Sequence, residues 1–375
     1  MRSPIRLARL TLALPVALIG LGAPVALAQT QERAGLQVRL QPGDAMRYSY
    51  TWTLEQKTEL PGMPMEETSE VAYALDQQVE SVTDGVATVR ATIRTLRVRL
   101  GAGMMGELTY DSTKDGESSP FAWLRHVVDK SFTFKMKTTG EVTEVTGGDA
   151  IRDEVTAAVA AESADQPAPG GMGGGGGMGM GMDPGAMMQM IAGRLTVVFG
   201  DESLKSSLCV VNHVLPEAGT PATEGATWSH PVVEHLPNVG TVRFTGEFAH
   251  RGGAGDAVRI TTRATDEVQL ERDQGAPSDD PNVEMMRQMQ RQMTEKLEVT
   301  KKTVRGTSSF DVARGRLIDS ELVHDIQMEG PLPAMMAAML GEQAKGAKLK
   351  QSIVLTLRYS QDEEAPAAPA PGGRF

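Results

Sequence analysis

The stretch Ser131–Val145 reads SFTFKMKTTGEVTEV. Phe132, Phe134 and Met136 alternate with polar residues, Lys137–Gly140 supplies a turn ending in glycine, and Val142 and Val145 follow. Period-two alternation, a turn and a second apolar run are the signature of a β-hairpin. The pattern returns at Ser309–Leu322, SFDVARGRLIDSEL, with Phe310, Val312, Gly315 and Leu317. Each copy follows other strand-like segments. The expectation is a mainly β (α+β) fold: long curved antiparallel sheet, one or two, in two similar halves with short packed helices.

Upstream of the hairpin, Met46, Tyr48, Tyr50, Trp52 and Leu54 alternate with polar residues, giving a strand with one apolar and one wet face. The loop PGMPM at Pro61–Met65 breaks it. Val71, Tyr73 and Leu75 begin a second strand, Thr83-Asp84-Gly85 turns the chain, and a third strand runs from Val86 to Leu100. In that third strand the apolar set is Val89, Ala91, Ile93 and then Leu96, Val98, Leu100. The phase slips by one residue near Thr95, as a β-bulge requires, and a bulge bends a long strand. Ser119-Pro120 then opens a short helix with Phe121, Leu124 and Val128 on one face and Trp123 covering the packing.

Downstream, Asp149 is placed to cap a helix carrying Ile151, Val155 and Val159 at four-residue spacing. Pro167–Gly185 is low in complexity, PAPGGMGGGGGMGMGMDPG, and too poor in apolar side chains to offset its ordering entropy, so disorder is expected there. The second half is read as opening on an apolar strand, Leu195–Phe199. It continues through alternating runs at Val242–Phe248, Val258–Ile260, Val299–Val304, Leu317–Met328 and Ile353–Tyr359. The expected organisation is a leader over 1–28, a first β-rich half over 29–147 and helices over 148–194 containing the insert 167–185. A second β-rich half covers 195–360, and a disordered Ala/Pro tail covers 361–375.

The leader reading rests on Arg2, Arg6 and Arg9, the apolar run Leu10–Leu21 and the small-x-small site Ala26-Leu27-Ala28. It predicts export to the periplasm or beyond. No later run is apolar enough to span a bilayer, so no integral span is expected after cleavage. Removing the three leader arginines takes the formal charge from −11 to −14, and so acidic a chain repels nucleic acid. Cys209 is the single cysteine, so internal disulfides are excluded and core burial must stabilise the fold.

The leader, the opening strand Gly43–Tyr50 with its GDxxxYxY spacing and the Phe/Gly hairpins together resemble an uncharacterised family of secreted, β-rich bacterial proteins, a domain of unknown function. That resemblance implies an extracytoplasmic curved β fold and carries no catalytic residues with it.

The sequence contains no GxSxG, GxxxxGK[ST] or HExxH motif. His230 and His235, with His213 as a third ligand, outline a conceivable zinc or copper site at a spacing that matches no strong motif, and exposed loop histidines are the preferred reading. His324 falls in the apolar phase of its strand and is expected to point inward with a hydrogen-bond partner.

The 22 methionines are the compositional oddity. The preferred reading is packing filler. Two functional readings stand beside it. Met286, Met289 and Met293, with Met335, Met336 and Met339, could roof an apolar ligand groove. Met178, Met180 and Met182 could offer soft thioethers to Cu(I) or Ag(I). The function expected is a non-enzymatic binding or scaffold protein of the cell envelope, its partner an apolar ligand (lipid or peptide) or another envelope protein, with no cofactor. The alternatives are soft-metal capture and a hydrolase without a recognisable motif.

Overall fold

From Met46 to Leu54 every second side chain of β1 (Ala45–Leu60) is buried, and the residues between stay part-exposed. One face of a pleated strand therefore meets a core and the other meets water. The computed structural model describes residues 36–60, 63–102, 106–114, 121–165, 191–193, 195–217, 223–236, 240–265, 269–271, 296–333, 337–338 and 340–362. Among these residues thirteen strands lie in one sheet.

The first meander is β1, β2 (Met63–Thr83), β3 (Val86–Ala102), β4 (Gly106–Asp111), β5 (Ser131–Lys137) and β6 (Val142–Thr146). Each pairing is antiparallel; β4 takes Arg97–Ala102 of β3, β5 takes Val86–Thr92 of the same strand, and β6 pairs with β5. The second meander is β7 (Thr227–Leu236), β8 (Gly240–His250), β9 (Ala257–Ala264), β10 (Gln269–Glu271), β11 (Glu298–Asp311), β12 (Arg316–Pro331) and β13 (Lys348–Gln361). There β7 lies along one side of β8, while β9 and β10 share the other. β13 pairs with β1 from Tyr48↔Gln361 to Glu59↔Lys350, so the meanders become a single sheet with β6 at one edge and β7 at the other.

The chain crosses between those edges through two helices, α1 (Gly148–Asp165) and α2 (Asp201–Asn212). α2 packs against β6 and β7, and also against β12 and β13 from the middle of the sheet. A sheet whose two edges and centre all touch one helix must be rolled around it. At this level α2 lies between the β6 and β7 edges and against the middle of the sheet.

The bulge anticipated from the phase slip is present. Ala74 pairs with Thr95 and Leu75 with Ile93, leaving Arg94 as the extra residue. Arg94 turns outward and bonds Asp76 (2.8 Å) and Asp129 (2.7 Å), while Asp76 also takes Arg47 (2.7 Å). Further register shifts at Val79/Ser81, Lys135/Met136 and Ser309/Phe310 add bend.

Several expectations need correction. The expected loop over Pro61–Met65 is too long, because Met63–Met65 already belong to β2 and Leu60 pairs with Met63. Leu195–Phe199 is helical, ending in a 3-10 turn over Val197–Phe199, so the second set of strands starts at β7 rather than at residue 195. The helix near Trp123 is a 3-10 helix, Ala122–Val127, with Trp123 buried. α1 is capped by Asp201, not by Asp149 as expected. The Asp201 carboxylate accepts from the backbone N–H groups of Gly148 (2.6 Å) and Asp149 (3.2 Å), and Asp149 accepts in return from the N–H of Asp201 (3.2 Å). The two helix starts cap each other. Ile151, Val155 and Val159 are buried as their spacing requires.

Candidate functional site: the interior beneath helix α2

Polarity is sorted cleanly between the two faces of the wall. Outside, opposite charges meet across neighbouring strands: Lys57–Glu66, Arg99–Glu107, Lys135–Glu144, Lys301–Asp325, Lys348–Glu329 and Arg358–Glu321. Such exposed pairs contribute little stability; they make this face suited to water. Inside, four tyrosines converge. Tyr48 stacks on Tyr359 (centroids 4.4 Å apart) and Tyr50 on Tyr73 (4.9 Å). Burial pushes the acidity constants of all four phenols up, so they stay neutral. Tyr48 donates to the Leu317 carbonyl (3.0 Å), and Gln77 donates to the Tyr359 hydroxyl (2.9 Å), with Asn212 of α2 beside it.

α2 carries this interior because Leu204, Leu208 and Val211 fall on one helical face at spacings of four and three, and all three are fully buried. Its seams are sparse. On the β7 side the His235 N–H donates to the Ser206 hydroxyl. On the β6 side the Cys209 thiol lies against the Val142 backbone, and burial raises its acidity constant, making it an unreactive thiol. The turn of the β5–β6 hairpin packs backbone to backbone on the end of α2. Gly140 sits there at φ 84°, and a Cβ on it would collide with the Asn212 carbonyl. Among the described residues no strand-to-strand ladder crosses this line.

Two polar features stand out. The first is a buried acid–imidazole pair. Glu234 of β7 and His324 of β12 approach to 2.6 Å with side chains 2% and 0% exposed. The contact lacks hydrogen-bond alignment, and His324 Nδ1 has no partner. The Phe244 ring meets the imidazole edge-on and the Tyr50 phenol lies close to Glu234. His324 points inward as expected, but neither ring nitrogen makes the hydrogen bond expected of it. Its partner was not foreseen, because Glu234 reaches it across the interior, not along a strand register.

The second is a crevice at the C-terminal end of α2. Its apolar walls include Met46, Met136, Phe134, Phe310 and Leu317, with Tyr48, Tyr359, Gln77, Asn212 and Arg316 adding polar groups. Phe134 and Phe310, the rings of the two repeated hairpins, are each 1% exposed and meet at this one place. The free volume is about 20 Å³, room for roughly one water. The segment 36–44 straps over it. The Val38 N–H donates to the Thr138 carbonyl (2.7 Å) and the Arg39 N–H to the Gly315 carbonyl (2.9 Å), so the strap ties one Phe hairpin to the other.

The histidine cluster does not form a metal site. His213 and His230 stack face to face at 3.8 Å, and His230 continues onto Phe248 at 4.2 Å. His230 Nε2 is 2.7 Å from the His213 carbonyl oxygen, and His235 faces Thr241 instead. Stacked rings direct their nitrogens outward from the column, not toward a shared ion. Burial lowers both acidity constants, that of His230 to about 4, so both are neutral imidazoles rather than exposed loop residues. No group of three or more His, Cys, Asp or Glu fit for a metal occurs among the described residues. The methionines singled out as ligand or metal contacts (Met286, Met289, Met293, Met335, Met336, Met339, Met178, Met180 and Met182) lie outside the described residues. Met46, Met136 and Met328 do serve as core packing.

Residues 84–170 match the model of a family of unknown function, DUF6263. The match runs from the turn before β3 through the first Phe hairpin and α1. No curated protein matches the chain. Among solved structures, a lipovitellin structure concerned with lipid–protein interactions superposes with TM-score 0.40 at 11% identity, over 90% of this chain; this chain spans 27% of that one. An outer membrane channel from Pseudomonas putida F1 gives TM-score 0.18 at 8% identity, over 86% of this chain and 100% of that one. A DUF1329 family protein from Desulfovibrio piger gives TM-score 0.14 at 7% identity, over 86% and 88%. All three fall below the overlap that marks a common fold.

Proposed function

We propose that this is an exported, non-enzymatic binding protein of the bacterial cell envelope whose apolar interior receives a lipid or another apolar guest. The observation carrying the reading is the seam. An interior rich in aromatic side chains is enclosed by a water-facing wall and closed along one line by a helix held through side chains, where a barrel would have a row of backbone hydrogen bonds. That line, which no backbone ladder holds among the described residues, is where we place the parting of the wall. The leader pattern over residues 1–28 supports export.

Native mass spectrometry of protein purified from a bacterial envelope, followed by solvent extraction, tests the reading together with titration of the neutral reporter 1-aminoanthracene. A co-purifying apolar molecule and saturable reporter binding are expected. Clean apo mass with no reporter binding would sink it.

A further inference from the structure

We infer that the strap-covered crevice is the mouth of the interior and selects a single-chain amphiphile with an anionic head, a fatty-acid carboxylate being the simplest case. The inference rests on the binding reading above and adds where the guest enters and which head it carries.

Arg316 provides the head site. It is the basic residue in the crevice wall, and its Nε is buried without a hydrogen-bond partner. Its outer nitrogen Nη2 is held by Asp44 at 2.8 Å. That grip fixes the guanidinium so that its Nε side remains for an acceptor, and a carboxylate is the acceptor that a guanidinium bonds most strongly. Charge agrees with geometry. Asp44 neutralises one cation, and a second, Arg39, sits on the strap with its guanidinium on the Val312 carbonyl. Arg39 and Arg316 against Asp44 leave one positive charge at the mouth of a strongly acidic chain, a local attraction for an anion.

The tail site is already occupied by a stand-in. Leu36 is 3% exposed, and Val38 and Leu40 pack on the same core, the latter two lining the crevice itself. The strap thus lays apolar side chains where an alkyl chain would lie, and the small remaining void is what it leaves unfilled. Its backbone hold on the hairpins is two bonds, from Val38 and Arg39, before a turn through Gly43 at φ 91° that is anchored to Val79. Lifting residues 36–41 about that turn vacates the leucine and valine volumes and leaves Asp44 and Arg316 in place.

The test is displacement of 1-aminoanthracene by dodecanoate, dodecanol and dodecylamine below their micellar concentrations, on the full mature chain. Dodecanoate should displace at concentrations at least tenfold lower than dodecanol, with dodecylamine weakest. Arg316→Gln should erase the preference for the acid while leaving dodecanol unchanged. If Arg316→Gln does not fold, the unmodified protein's ranking of the three heads still decides. Reporter binding with equal displacement by acid and alcohol, or an acid preference that survives in folded Arg316→Gln, would overturn this inference and leave the apolar-binding reading standing. Absence of reporter and dodecanoate binding would overturn both.

Discussion

Replacing Glu234 by Ala strips the buried His324 imidazole of the carboxylate that stands 2.6 Å away. Taking both polar groups out of water costs free energy that their contact offsets, so the intact pair contributes little net stability. The asymmetry appears on breaking it. Glu234→Ala or His324→Ala should each lower unfolding free energy by about 3–5 kcal/mol, since the survivor stays buried at 0–2% exposure without compensation. Glu234→Leu/His324→Leu together should recover most of that loss, because the surroundings, Phe244 among them, are apolar. Urea melts of wild type, both single variants and the double variant form the assay, and the coupling energy should be at least about 1.5 kcal/mol. Strictly additive losses, or single-variant losses below about 1 kcal/mol, would show that β7 is not pinned across the interior by this pair.

Phe134→Ala and Phe310→Ala should each cost about 3–5 kcal/mol, and because both rings line one crevice their combined cost should depart from the sum by about 0.5 kcal/mol or more in the same melts. For pH, His230 takes a proton near 4 when folded and near 6.5 when unfolded, and the His213 acidity constant is lowered too. The unfolded chain therefore binds more protons in this window, so the stack's contribution is complete above pH 6.5 and lost as pH falls toward 4. For His230 this amounts to about 2–3 kcal/mol. Subtracting the stability curve of His230→Phe from that of wild type should isolate the loss, and a flat difference between pH 6.5 and 4 would refute it.

The sheet was legible where one strand's own pattern decides the outcome. The slip at Thr95 fixed the Arg94 bulge, and the two Phe hairpins fixed turns that both close on a positive-φ glycine. α2 was missed because Leu208–Val211 reads as a short apolar run, and such a run suits strand and buried helix alike. The better signal was there: Asp201 and Glu202 in a first turn, then Leu204, Leu208 and Val211 on one face. The Glu234–His324 pair and the shared crevice could not be read, since both depend on how far the sheet rolls. Rolling is the sum of several bulges and leaves no mark at the residues it brings together.

The pairing of β1 with β13 also sets the order of events during synthesis. Tyr48 waits for Gln361, and Glu59 for Lys350, so the central seam of the sheet forms between the first and last described strands. Until β13 emerges, the first meander carries a 16-residue unpaired flank on β1, with Tyr48, Tyr50 and Trp52 beside it. Such a flank invites pairing with other chains, and contacts this distant in sequence form slowly. Loss of the β13 segment would leave that flank of β1 unpaired and the half-sheet prone to pairing with other chains.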